Sequence, residues 1–228
     1  MFWLRYFHAA AIAILLLAIC LMMTNFIGLG AKEVYHIQKR KPDKVILTFI
    51  SLVSVSITIT LILAAKDILF LTKGIVSVFL VFNLALIDHD QGRIPIHFLG
   101  SALVVGIYFG LLEGGLNKIL IGGVANLVIG WSVYGLGKQF IKRKYSESNS
   151  DQAFGFGDVY GAGVLGFLIG FPGGMWAFLL TLLLSLIGTA ISAVIMRKKF
   201  ISSKVRLGVC FFCALVCFIL LDLISFSS

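Results

Sequence analysis

The sequence predicts an all-α, polytopic membrane protein built as one integral domain over residues 1–228, with about eight transmembrane helices. Three observations predict it. Hydrophobic residues make up 60% of the chain and the mean hydropathy is +1.05. The apolar residues fall into long runs, and crossing a bilayer core takes roughly 20 apolar residues. The basic residues gather in short clusters between alternate runs, as expected of cytoplasmic loops.

Eight runs are read in order: about 9–30, 45–65, 68–88, 95–112, 119–137, 157–172, 175–196 and 207–224. The first follows Arg5 but has no small-residue cleavage site after it, so it is read as a retained helix. The third holds Lys73, a residue long enough to snorkel to an interface, and the sixth is short and rich in glycine. Fifteen of the nineteen basic residues follow odd-numbered runs: Lys32 to Lys44, then Arg93, then Lys138 to Lys144, then Arg197 to Arg206. This bias puts the loops after the third and fifth runs on the cytoplasmic side and both termini outside. A polar stretch at 142–152, KRKYSESNSDQ, reads as a flexible connection.

The net charge of +9 in a soluble chain would raise nucleic acid as a partner. Here the lipid bilayer and its anionic headgroups account for it, and no nucleic-acid partner is expected. Cys20 stands alone in the first run, while Cys210, Cys213 and Cys217 share the last at helical spacing. Without a nearby polar fourth ligand they read as apolar filler, so no metal site and no cofactor are expected.

Acidic residues inside or beside an apolar run are functional candidates, because burying a carboxylate near hydrocarbon is costly. The stretch FNLALIDHDQGRIP, 82–95, ends the third run with Asp88 and Asp90. Two residues apart, they cannot share one helical face, and Asp88 is nearer the apolar run. Asp90 is expected to pair with Arg93 at i+3, while Pro95 fixes the turn into the next segment.

A second acid, Asp158, closes the sequence GFGD at 155–158, where the sixth run enters from the same predicted side. Two carboxylates at one depth can share a proton, one activating water while the other protonates the scissile group, with no metal or nucleophilic side chain. Gly155 and Gly157 would leave room for an extended substrate backbone. Asp158, Ala162, Gly166, Gly170 and Gly174 follow at i+4, and this small-residue ridge is expected to pack the sixth helix against the helix bearing Asp88. Pro172 and Gly173 should end that helix before Gly174. Since an anion is favoured at a helix N-terminus, Asp158 is assigned as the ionised base and Asp88, at a C-terminus, as the protonated acid. The same two acids could instead serve a proton- or cation-coupled transporter, or pair across helices in a structural subunit.

Together the motifs resemble those of the prepilin peptidases, which are GxGD-type intramembrane aspartic proteases. In that family an aspartate precedes a proline by seven residues and GxGD opens a later helix, matched here by Asp88 with Pro95 and by Gly155 to Asp158. The resemblance covers roughly residues 70–220. It implies an endopeptidase that removes the leader peptide of type IV pilin-like precursors at the cytoplasmic face of the bacterial inner membrane, with Asp88 and Asp158 as the catalytic pair. Tyr160 stands where the family usually has lysine, and Ile96 where a polar residue is common. The loop at 31–44 is short and lacks the CxxC pair of bifunctional members, so N-methyltransferase activity is not expected.

Overall fold

The computed structural model describes residues 44–64, 67–91, 94–144, 155–195 and 207–225. Among these the secondary structure is entirely helical: α1 (Lys44–Ala64), α2 (Ile68–Gln91), α3 (His97–Leu112), α4 (Leu116–Lys144), α5 (Phe156–Ile169), α6 (Gly173–Ile195) and α7 (Leu207–Ser225). They correspond one to one with the second to eighth apolar runs. The first run, the loop at 31–43, the greater part of the polar connection and residues 196–206 lie outside the described residues. So do Arg93 and the side chain of Asp90, and with them the expected pair.

Helices suit these sequences because a backbone in hydrocarbon must satisfy its own hydrogen bonds. The turns carry the punctuation. Asp67 precedes α2 and its Oδ1 accepts the N–H of Leu69 at 3.1 Å, a capping bond that satisfies one free donor of the first turn. At the end of α3, Gly114 takes φ +66°, a left-handed conformation glycine adopts without a steric penalty. The N–H of Gly115 reaches back to the carbonyl of Gly110 at 2.8 Å, and that of Gly114 to Leu111 at 3.4 Å, the double closure of a Schellman motif. Between α5 and α6, Gly170 does the same work at φ +82° and donates to Gly166. Its neighbour Phe171 donates to Lys118 at the start of α4.

Three helical stretches are long and apolar enough to cross a membrane: Ile68–Asp88, Leu116–Gln139 and Gly173–Ile191. The expected count of eight is therefore not met among the described residues, which leave out the first run, and α5 falls short by its length. At about 1.5 Å per residue, the 14 residues of α5 reach roughly 21 Å, short of a hydrocarbon core of about 30 Å. This helix is instead wrapped by its neighbours. Every residue from Gly161 to Leu168 is buried, against α3, α4, α6 and α7. The apolar residues left outside, such as Val55 and Ile59 on α1, Val124 and Val128 on α4, and Leu183, Leu186 and Ile191 on α6, form outward faces suited to lipid. The polypeptide is a helical membrane protein.

Lengths differ from the sequence expectation at two places. Helix α4 runs on through Lys142, Arg143 and Lys144, so the basic part of the polar stretch is helical. Helix α5 stops at Ile169, ahead of Phe171 and Pro172, and Gly174 already belongs to α6. Lys73 does not simply reach for an interface: its Nζ donates to both oxygens of Glu113, at 3.1 and 2.8 Å, joining α2 to the end of α3. Asp222, near the end of α7, lies within electrostatic reach of the same pair.

Candidate active site

Asp88 sits in the last turn of α2 and is 5% exposed. Its Oδ2 accepts the backbone N–H of Gly208, the second residue of α7, at 2.8 Å. Glycine is required there by space: a Cβ on Gly208 would lie 2.7 Å from the Cβ of Asp88 and 2.9 Å from its Oδ2. The first N–H groups of a helix have no partner within it and carry its positive end, so the start of α7 is a natural seat for a carboxylate.

Asp158 occupies the third position of α5. Its Oδ2 accepts the N–H of Gly155 at 2.6 Å, while its own N–H donates to the Gly155 carbonyl at 3.1 Å. Gly155 is the extended N-cap of the helix, φ −85° and ψ 161°. The GxGD sequence is therefore a helix start that folds its own acid back onto the capping backbone.

Asp88 and Asp158 lie within electrostatic reach of one another, and the buried Cys210, two residues after Gly208, is within reach of both. The acids thus converge from α2 and α5 at one end of the bundle, with the start of α7 beside Asp88. Asp158 does lie at a helix N-terminus and Asp88 near a C-terminus, as read from the sequence. The inferred inequality does not follow, however, because the N-terminal end of α7 reaches Asp88 as well. Each carboxylate is held by a backbone N–H at the start of a helix.

The glycines divide the work differently from the sequence reading. A Cβ on Gly157 would fall 2.7 Å from the backbone nitrogen of Ile94. Its bare backbone admits the Ile94–Pro95 turn, and no room for a substrate is left on that side. Among the described residues, a Cβ on Gly155 would meet only Asp158 Oδ2 at 3.4 Å and Gly157 N at 4.0 Å. Pro95 accepts the N–H of Phe98 and Ile96 that of Gly100, which starts α3 immediately after the turn. The motif proline and the second glycine of GxGD therefore belong to one contact that presses the end of the first motif onto the start of the second.

The small-residue ridge is real but faces elsewhere. A Cβ on Gly166 would collide with the carbonyl of Gly122 and come within 2.8 Å of the Cα of Gly123, both on α4. Gly130 lies against Val159 and Ala162, and Gly174 against the Cα of Gly166. Between them the buried Asn126 donates to the carbonyls of Ala162 at 3.1 Å and Gly174 at 2.9 Å. The ridge thus packs α5 onto α4, because Gly122, Asn126 and Gly130 supply a matching small stripe at i+4. Towards Asp88 the path runs through α7, where the ring of Phe211 lies over Gly161. Gly208 and Asn126 escaped the sequence reading. The signals were present: a glycine one residue into a helix just after a basic run, and an amide set in a glycine stripe.

With two buried or half-buried acids at one end of a helical membrane bundle, the fold and site define a membrane protein with a carboxylate pair. The family model described as the type IV leader peptidase family matches residues 75–194, more than half of the chain. The chain belongs to that family, and peptidase function of the type IV leader class follows from membership. No curated protein and no solved structure matches it.

Proposed function

We propose that the protein is an intramembrane aspartic endopeptidase that removes the leader peptide from type IV prepilin-like precursors, with Asp88 and Asp158 as its catalytic pair. The observation that carries this reading is the convergence of the two acids, each accepting a backbone N–H at the start of a helix. In the reaction, one carboxylate takes a proton from water as its oxygen attacks the scissile carbonyl carbon, and the other protonates the carbonyl oxygen. The tetrahedral intermediate collapses as the now protonated base gives its proton to the leaving nitrogen, the now ionised acid takes a proton from a diol hydroxyl, and the C–N bond breaks. Each turnover consumes one water and returns the pair to its starting protonation, with no cofactor. The titration belongs to the pair, not to either member.

The acids' end of the bundle would face the cytoplasm of a bacterial cell at its inner membrane, consistent with the basic residues at the C-terminal end of α4. In this reading the extended substrate backbone runs beside Gly155, whose missing side chain leaves it room among the described residues. The whole chain acts as one integral peptidase domain without N-methyltransferase activity.

Coexpression with prepilin-like precursors tests the reading. The native chain should shorten the precursor, and Asp88→Asn and Asp158→Asn should each abolish shortening while the protein still accumulates in the membrane. Normal processing by both variants would overturn the assignment. Acid-dependent ion flux in proteoliposomes without any cleavage would instead establish the transporter reading.

A further inference from the structure

Four aromatic rings stand together at the acids' end of the bundle, on α4 and the first turns of α5. Phe156 is ringed edge to face by Trp131 at 5.0 Å between centroids, Tyr134 at 5.6 Å and Tyr160 at 5.1 Å. Trp131 also meets Tyr134 at 6.2 Å. Unlike a core cluster, this one is open: Trp131 is 52% exposed and Phe156 38%. Successive helical residues turn by about 100°, so Phe156 and Tyr160 project from the side of α5 roughly opposite Asp158. They flank the acid in sequence without sharing its side of the helix.

Three features say what covers the cluster. Along α4, residues 119–130 carry no charge, Trp131 and Tyr134 follow toward the C-terminal end of the apolar stretch Leu116–Gln139, and Lys138, Lys142, Arg143 and Lys144 come last, which is the order of hydrocarbon, interface and anionic headgroup. The remaining exposed aromatics among the described residues, Tyr108, Phe171 and Trp176, lie at the other end of the bundle, with none between. Tyrosine and tryptophan pair an apolar ring with a polar tip, which fits the boundary between wet and dry.

We propose that Trp131, Tyr134, Phe156 and Tyr160 form a lipid-interface anchor that seats in the headgroup boundary and fixes the depth of Asp158. The acid lies level with the rings, since Phe156 and Tyr160 bracket it by two residues each way. Tyr160 then has a place of its own: it completes the anchor, where the resembled family carries a lysine.

Depth-dependent quenching tests the anchor whether or not the acids cleave anything. The full chain with Trp3→Phe and Trp176→Phe keeps Trp131 as its one tryptophan. In phosphatidylcholine vesicles its fluorescence should be quenched most by lipids brominated at acyl carbons near the headgroup, and at least twofold less by lipids brominated near the chain ends. A maximum at any deeper position, or quenching by aqueous iodide with none by brominated lipid, would overturn the proposal. The depth claim has its own readout. A spin label at Lys138→Cys in a cysteine-free background should change immersion by about 2 Å or more, little over the rise of one helical residue, when Trp131 and Tyr160 are both leucine. Leucine keeps the position apolar but lacks the interfacial preference of an aromatic ring with a polar tip, so an unchanged depth would refute the anchor's role.

Discussion

Asp88 and Gly208 are 120 residues apart in sequence and meet at 2.8 Å, carboxylate oxygen to backbone N–H. The contact makes the first turn of α7 part of the site. It also gives Asp88 the same kind of brace that Gly155 gives Asp158.

Gly208→Ala is expected to cut cleavage of a prepilin-like substrate by tenfold or more. Its Cβ cannot coexist with the Cβ of Asp88 at 2.7 Å, so either the helix start or the acid must move. The protein should still insert, as judged by its level in isolated membranes. Full activity would show that the contact is dispensable.

Gly166→Leu should destabilise the bundle by about 1–3 kcal/mol, the usual cost of overpacking, because the side chain meets the backbone of α4. Gly100→Ala is the control: among the described residues nothing lies within 4 Å of its Cβ, and stability should be unchanged or slightly raised. Thermal unfolding in detergent distinguishes the two.

How far this arrangement was legible in the sequence depends on what each residue's neighbours are. Asp88, Pro95 and GFGD could be read because each motif is local and the apolar runs state which end of the bundle they reach. The direction of the Ala162 and Gly166 ridge could not, because a small stripe says only that something comes close. Its partner was settled by Gly122, Asn126 and Gly130, a second stripe with equal claim to any neighbour. Gly157 was misread for a related reason: a missing side chain can admit substrate or the protein's own turn, and the Ile94 backbone fills the space.

Asn126→Ala removes two hydrogen bonds that tie α4 to α5 and α6. The buried carbonyls of Ala162 and Gly174 then lose a donor, at a cost of about 1–2 kcal/mol. Chemical or thermal denaturation in detergent should show this loss, with a smaller effect on cleavage than Gly208→Ala at temperatures where both remain folded.

Glu113→Gln should cost less, on the order of 0.2–1 kcal/mol, because the Lys73–Glu113 pair is partly exposed and its side chains are 20% and 33% accessible. The difference from the native chain should shrink as salt is raised. A loss of several kcal/mol would show instead that Lys73 cannot turn to Asp222.

Helix α7 begins at Leu207, beyond residue 194 where the family match ends. A chain trimmed to the recognisable peptidase region would keep both aspartates, the proline and GFGD, yet lack the amide that receives Asp88 and the Phe211 ring that lies over Gly161. If the carboxylate pair is catalytic, the smallest active fragment should extend through α7, and truncation before it should yield a polypeptide that carries the whole signature and cleaves nothing.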